Sequence, residues 1–154
     1  YGEIFLNMDP QNASAPEVKN FLFEGYKKLF ADANLEKHNT EKNNFVGAFL
    51  ATMNKQSSVA NSGITPETLT MIRTRFILDW SASHAGKFPF RLFDLQKQLI
   101  QDGLFEAYNQ WIFGAAQNLA TYQTWVNNHP KEYNELIRFR QNRVFRIPAG
   151  QYYH

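Results

Sequence analysis

The stretch TPETLTMIRTRFILDW, residues 65–80, predicts the helix around which the rest of the fold is arranged. Thr65 is a residue type that caps helices, Pro66 suits the first helical position, and Glu67 suits the positive end of the helix dipole. Apolar side chains then recur every three or four residues, as on one face of an α-helix. This apolar face comprises Leu69, Ile72, Phe76 and Trp80.

Met71 and Leu78 lie on the other side of the same helix. A helix that is apolar on two sides is normally packed against neighbours on both of them. We therefore expect residues 65–82 to form the central helix of the molecule, with the other helices packed around it.

The rest of the chain predicts further helices and no strong strand. They cover residues 3–8, a segment from Pro16, a segment after a Thr40 cap, a segment from Phe88–Phe90 to Gly103, residues 104–114, a segment after an Asn118 cap and a segment from Pro130. We expect an all-α fold of seven to eight helices, packed as antiparallel hairpins in a bundle or short solenoid. Residues 1–154 are expected to form a single helical domain.

Helical spacing also predicts which side chains face inward. Gly25 falls within the apolar stripe of the second helix, which predicts a close approach of another helix there. The polar stretch 56–63 is expected to be a loop, and the tail from Arg146 is expected to be irregular. The inward positions are Val18, Phe21, Leu22, Leu29, Phe45, Val46, Phe49, Leu50, Met53, Leu92, Leu95, Leu99, Leu104, Tyr108, Trp111, Ile112, Leu119, Tyr122, Val126, Tyr133, Leu136, Ile137 and Val144.

Composition excludes several classes of function. The 154 residues include no cysteine, which excludes disulfides, thiolate zinc sites and iron–sulfur clusters. The net charge of +2 is too small to indicate a nucleic acid or an anionic membrane as partner. We expect no cofactor, no metal and no transmembrane segment. Charged residues are only 19%, and abundant Asn and Gln favour an exported, periplasmic or cell-surface protein. The start at Tyr1 suggests a processed or excised chain.

Two stretches resemble parts of tetratricopeptide (TPR) repeats. Residues 8–12, MDPQN, resemble the turn that closes such a repeat, and Ala107, Trp111 and Gly114 match the small–large–small spacing of its second helix. The repeat length of about 34 residues does not recur in this chain. The resemblance implies stacked helical hairpins of the kind that bind proteins. Residues 1–14 would then be the tail of a preceding helical repeat.

Two clusters have the residue types of catalytic or metal sites. Asp79, Ser83 and His84 supply an acid, a hydroxyl and a base, but serine catalysis needs the hydroxyl on a strained turn beside an oxyanion hole. Because the cluster lies at a helix end, a structural role is favoured. His129 and Glu132 are three residues apart, yet the simpler interpretation is a helix start with His129 at the cap position and Pro130 after it.

Arg138, Arg140, Arg143 and Arg146 form a basic run that suggests either a solvated face or a surface for a phosphate or acidic partner. Arg140 falls within the apolar stripe of its helix, so we expect it to pair with an acid. The candidate partners are Asp79, Asp94 and Asp102.

Trp80, Trp111 and Trp125 suggest a second kind of site, since indole rings stack on sugars. Trp80 and Trp111 are expected in the core, while Trp125 is the more exposed ring. The sequence thus favours a non-enzymatic helical interaction module, a scaffold or cap attached to helical repeats, with a protein or peptide partner. The alternatives are a carbohydrate-binding or polymer-associated domain of an exported protein, and an enzyme that uses Asp79, Ser83 and His84.

Overall fold

The computed structural model describes residues 1–32, 34–40 and 42–153. Within these ranges the chain forms nine α-helices and no strand, which confirms the all-α prediction. The helices are α1 Gly2–Met8, α2 Ala15–Ala31, α3 Asn44–Asn54, α4 Ser57–Ala60, α5 Pro66–Ser83, α6 Arg91–Gln101, α7, α8 Leu119–Asn128 and α9 Pro130–Gln141. Helix α7 runs through Phe105–Asn109, a π-helical turn at Gln110–Gly114 and Ala115–Gln117.

The eight longer helices correspond to the eight that were predicted. The additional helix, α4, is a single turn inside the stretch expected to be a loop, and Leu35–His38 forms a short 3₁₀ helix before α3. Residues 142–153 form no helix, in agreement with the irregular tail predicted from Arg146. None of the described helices combines the length and the apolar character needed to cross a bilayer.

Helix α5 begins as its sequence predicts. The Thr65 hydroxyl accepts a hydrogen bond from the Thr68 backbone N–H at 3.1 Å, and the Thr68 hydroxyl accepts one from the Thr65 N–H at 2.9 Å. This reciprocal capping satisfies two N–H groups that the first turn leaves without intrahelical partners. Pro66 follows at the first position, where its missing N–H costs nothing.

Helix α5 contributes side chains to both apolar clusters of the interior, which confirms its central place. It contributes Leu69 to the first cluster and its later apolar residues to the second. The first cluster includes Leu6, Phe23, Leu92, Leu95, Leu99, Tyr108, Ile112, Phe113 and Leu136. The second is formed by Leu35, Leu50, Met53, Ile72, Phe76, Ile77 and Trp80. Phe93 and Tyr26 pack against both clusters.

The second packed side of α5 differs from the prediction. Met71 and Leu78 are exposed to solvent, with 48% and 55% of their surface accessible. Arg73 and Ile77 are buried instead. The rest of the buried surface of α5 is therefore formed by the ion-paired Arg73 and by Ile77, rather than by the predicted second apolar stripe.

Helix α3 starts later than predicted, and Asn43 rather than Thr40 caps it. The Asn43 side chain accepts hydrogen bonds from the backbone N–H groups of Phe45 and Val46 at 2.9 and 3.1 Å. Lys42 has a left-handed backbone, with φ at 53°. Because that conformation cannot continue a right-handed helix, Thr40 lies outside it.

Three side chains predicted to face inward are exposed. Phe21 on α2, Leu119 on α8 and Val144 after α9 have 67%, 59% and 79% of their surface accessible. Helix α2 instead buries Phe23, which places Phe21 on the opposite side. The close approach predicted at Gly25 is also wrong, because a Cβ atom there would meet no atom within 4 Å.

The close approach occurs at Gly114 instead. A Cβ atom at this position would lie 2.5 Å from Tyr122 on α8 and 2.8 Å from the side-chain oxygen of Gln110. Gly114 was predicted to end its helix, but its backbone is helical and α7 continues to Gln117. The missing side chain allows α8 to pack over the π-helical turn.

Candidate functional site

A cavity of about 250 Å³ lies between α1, α2, α3, α5 and α6 and is closed in part by residues 151–153. Its polar lining includes Glu3, Arg73, Gln96 and Gln151. A mostly apolar cavity with a few polar groups at fixed positions is the usual form of a binding site, although 250 Å³ suits a ligand or side chain smaller than a drug-sized molecule. The wall is formed by Phe45, Phe49, Phe76, Phe90 and Phe93.

Phe93, in the first turn of α6, organises this aromatic wall. Its ring centroid lies 4.9 Å from that of Phe90, 5.2 Å from that of Phe76 and 5.1 Å from that of Trp80, each in an edge-to-face arrangement. Such pairs contribute about 0.5–1.5 kcal/mol each beyond the area they bury. The wall is therefore held in place by interactions within the protein.

The C-terminal segment lies against the same wall. The Tyr153 ring stacks on Phe45 with centroids 4.1 Å apart and planes 3° from parallel. Its hydroxyl donates a hydrogen bond to the Pro89 carbonyl at 2.7 Å, and the Gln151 side-chain oxygen accepts one from the Arg91 backbone N–H at 2.6 Å. A segment without helical structure is thus anchored by one ring and by bonds to the main chain.

Arg73 carries a charge in the interior beside this cavity. Only 2% of its surface is accessible, and its guanidinium donates hydrogen bonds to the Glu3 carboxylate and to the Asn109 side-chain oxygen. Phe113 and Phe105 flank it, with ring centroids 5.2 and 5.4 Å from the guanidinium carbon. The pair joins α1 to α5 across 70 residues of sequence.

Further hydrogen bonds complete the environment of Glu3. Its carboxylate accepts one from the Gln96 side-chain amide at 2.8 Å and one from the Tyr108 hydroxyl at 2.9 Å. Asn7 donates to the Tyr108 oxygen at 2.6 Å. Buried charges are tolerated when they are paired and hydrogen-bonded, and this network meets that condition with residues from α1, α5, α6 and α7.

The surroundings of Arg73 and Tyr108 determine the protonation state of each side chain. Burial, the largest single effect, lowers the pKa of Arg73, but the Glu3 carboxylate together with Tyr26 and Tyr108 outweighs it, so the pKa is raised. Burial, with the Glu3 charge adding to it, raises the pKa of Tyr108 well above its ordinary value. Arg73 therefore stays protonated and Tyr108 stays a neutral donor.

The catalytic-looking cluster on α5 is not assembled as a catalytic group. Asp79 forms an ion pair with Lys55 at 2.8 Å, and the His84 ring packs against the buried Trp80 with centroids 5.0 Å apart. Among the described residues, no hydrogen bond joins Asp79, Ser83 and His84. The indole nitrogen of the neighbouring Trp80 is buried, and no described residue accepts a hydrogen bond from it.

His129 occupies the cap position before α9, as predicted, but its side chain does not cap that helix. Its Nδ1 atom lies 2.9 Å from the Trp125 carbonyl oxygen, and its ring stacks on the Trp125 indole at 4.5 Å. In the described ranges no three His, Asp or Glu side chains form a group that could hold a metal ion.

The three tryptophans occupy different environments. Trp80 is in the core, as predicted. Trp111 is half-buried and lies beneath two cations, with Lys19 Nζ 4.4 Å and the Arg140 guanidinium carbon 3.6 Å from the ring centroid. Trp125 is half-buried as well and donates a hydrogen bond to Glu106 at 3.3 Å.

The expected ion pair of Arg140 is wrong. None of Asp79, Asp94 and Asp102 contacts it, and no described carboxylate lies within ion-pair distance. Arg140 packs on Trp111 instead. Burial, together with the nearby charge of Arg140, lowers the pKa of Lys19 to about 8. Lys19 and Arg140 thus place two positive charges beside Trp111, and no described carboxylate forms an ion pair with either.

The buried ion pair was missed because both partners looked like ordinary surface residues. A signal for Arg73 is present, since it lies four residues after Leu69 and three before Phe76, within the inner stripe of α5. Nothing in the sequence identifies Glu3, 70 residues away, as its partner. Comparisons of the chain with protein-family models, curated proteins and solved structures find no match, so the TPR resemblance rests on its two sequence stretches alone.

Proposed function

We propose that this chain is a non-enzymatic interaction module whose aromatic groove binds an extended segment of a partner protein. The aromatic groove is the surface of Phe45, Phe88 and Phe90 that contacts the Tyr153 ring. The observation that carries the proposal is the position of Tyr153 on Phe45, in a segment that is also held through Pro89 and Arg91. An anchor side chain in a pocket combined with main-chain hydrogen bonds is a recurring mode of peptide recognition. The chain's own segment thus serves as an example of what the groove accepts.

The geometry of the groove favours such a partner over a small polar substrate. Phe45, Phe88 and Phe90 surround the Tyr153 ring, with the latter two presenting edges at 5.9 and 5.8 Å. Aromatic anchors in desolvated pockets contribute most of the binding energy of many interfaces. Because residues 151–153 occupy the groove in cis, a partner segment must displace them, and they act as a competitor at high effective concentration.

A peptide titration tests the proposal. The full chain with Tyr153→Ala leaves the anchor position open, and the titrant is a fluorescein-labelled peptide RIPAGQYY, the sequence of residues 146–153. We expect saturable binding in fluorescence anisotropy. Replacing the last tyrosine of the peptide by alanine should weaken binding at least about tenfold, because it removes the ring that stacks on Phe45.

A second variant locates the binding surface. Adding Phe45→Ala to Tyr153→Ala should weaken binding of the tyrosine peptide by a similar factor, while Phe21→Ala, a removal of an exposed ring on α2, should leave it unchanged. Circular dichroism checks that each variant is folded. Equal binding of the two peptides, or no saturable binding of either, would refute the proposal.

The carbohydrate-binding alternative has less support. One face of Trp125 is covered by His129, and Trp111 lies beneath Lys19 and Arg140. A sugar platform needs an open ring face. Our proposal that the module belongs to a larger helical scaffold rests on the sequence alone.

A further inference from the structure

A second cavity, of about 200 Å³, lies where α1, α6, α7 and the end of α9 meet. Three arginines line it: Arg91 from the start of α6, Arg140 from α9 and Arg143 just after α9. Arg140 and Arg143 belong to the basic run noted in the sequence, whereas Arg91 is distant in sequence. The fold therefore places three arginines from two distant parts of the sequence around one cavity.

Aromatic rings hold each of the three guanidinium groups. The guanidinium carbon of Arg143 lies 4.0 Å from the Phe139 ring centroid, that of Arg91 lies 5.8 Å from the Phe145 ring, and Arg140 covers Trp111. Stacking on a ring leaves the edge of a guanidinium, with its N–H groups, available to an acceptor. Rings thus restrict the orientation of the arginines without using their hydrogen-bonding capacity.

In the part of the chain that the structure describes, no hydrogen bond or ion pair joins these guanidinium groups to an acceptor. The ion pairs found there involve other cations, and the hydrogen bond at Arg91 uses its backbone N–H. Arg91 and Arg140 are half-buried and Arg143 is exposed. For the two half-buried arginines the lack of a bonded carboxylate or carbonyl is costly, because burial opposes their charge. The cavity therefore has the electrostatic character of a site whose counter-charge comes from outside the chain.

The remaining lining is mostly apolar, and its polar members are Asn7 and Tyr108. Leu95, Leu99, Met8 and Phe145 contribute aliphatic and aromatic surface beside the arginines. The volume is below the 300–1,000 Å³ of drug-sized pockets, so the occupant is small. A bare inorganic anion would leave the apolar surface uncovered, and a neutral hydrocarbon would leave the arginines without a counter-charge.

We propose that this cavity binds a small amphipathic anion, a carboxylate that carries a short apolar body. The carboxylate accepts hydrogen bonds from Arg143 and Arg91, the most natural arrangement for planar guanidinium groups. The apolar body lies on Leu95 and Leu99. The site is separate from the aromatic groove, and it does not depend on the peptide binding proposed there.

Hexanoate is the probe for the first experiment. Titrated into the full chain and followed by amide NMR shifts, it should produce saturable shifts at Leu95, Leu99 and Arg143. Two matched probes separate the parts of the site: 1-hexanol keeps the apolar body without the charge, and inorganic phosphate keeps the charge without the body. Both should bind at least about tenfold more weakly than hexanoate.

Two substitutions locate the anion. Arg143→Gln or Arg91→Gln should weaken hexanoate binding at least about tenfold, whereas Arg146→Gln, a removal of a neighbouring exposed arginine that does not line the cavity, should leave it unchanged. Absence of saturable shifts, hexanoate binding that survives both substitutions, or equal affinity for 1-hexanol or phosphate would each overturn the proposal.

Discussion

Arg73 and Glu3 form a charged pair inside an interior lined by aromatic rings. Removing one partner leaves the other charge buried without a counter-charge, which typically costs about 3–5 kcal/mol. We therefore expect Glu3→Gln and Arg73→Met to lower the free energy of unfolding by amounts in that range. The double variant should lose clearly less than the sum of the two single losses, because no unpaired charge remains.

Urea denaturation of the four proteins in this double-mutant cycle measures the coupling. Residues in one hydrogen-bonded network show interaction energies of about 0.5–3 kcal/mol. Additive losses would mean that Arg73 and Glu3 stabilise the fold independently, which is incompatible with the network described above. Asn7→Ala, at the edge of the network, serves as a comparison that leaves the charge pair intact.

Lys19 predicts an unusual pH dependence of stability. Its folded-state pKa is about 8 against an ordinary value of 10.5, owing first to burial and then to Arg140. Between these two values the unfolded chain binds more protons at this site than the folded chain. The free energy of unfolding contributed by Lys19 should therefore rise as pH increases from about 8 towards 10.5.

The buried tyrosines produce the opposite trend at higher pH. Burial raises the pKa of Tyr108 and Tyr26, so above their ordinary value of 10.0 the folded chain keeps protons that the unfolded chain loses. The free energy of unfolding should therefore fall as the pH rises above about 10. Denaturation midpoints measured from pH 7 to 9.5 isolate the contribution of Lys19, and Lys19→Met should abolish the rise. A rise that is unchanged in Lys19→Met would contradict the assignment.

At the scale of elements, the junction of α7 and α8 depends on Gly114. Alanine there would bring a methyl group to 2.5 Å from Tyr122, so α8 or the π-helical turn must shift. We expect Gly114→Ala to destabilise the protein by about 1–3 kcal/mol, as overpacking usually does. Gly25→Ala is the matched control. It lies in open space on α2 and should stabilise by about 0.5–1 kcal/mol. Thermal denaturation of both variants tests the contrast, which a similar effect at the two glycines would contradict.

The same pair of glycines shows which features of the helices could be predicted. The start of α5 and the inward faces of α5 and α6 follow from caps and spacing within one helix, and these predictions are confirmed. Gly25 and Gly114 are indistinguishable by such local signals. Which of them contacts another helix depends on how helices that are distant in sequence pack together. This packing cannot be predicted from the sequence of one helix.

The candidate sites illustrate the same limit at the scale of the molecule. The aromatic wall could be partly anticipated, because Phe45, Phe49 and Phe76 lie on predicted inner faces. The partners of Arg73 and Arg140 could not, because each is determined by residues far away in the sequence. Charge pairing over long separations is a property of the assembled fold. The sequence therefore predicted an acidic partner for Arg140, which has none among the described residues, and none for Arg73, which pairs with Glu3.

The two apolar clusters predict how the whole molecule unfolds. They share α5, and Phe93 and Tyr26 pack against both, so neither cluster can lose its packing without exposing the other. We expect a single cooperative transition, consistent with the prediction of one domain. Leu99→Ala in the first cluster and Leu50→Ala in the second should each lower the free energy of unfolding by about 2–5 kcal/mol. Each should also reduce amide-exchange protection equally in α3 and α6. Protection lost only in the cluster that carries the substitution would show that the clusters unfold separately, and that α5 connects two units rather than one.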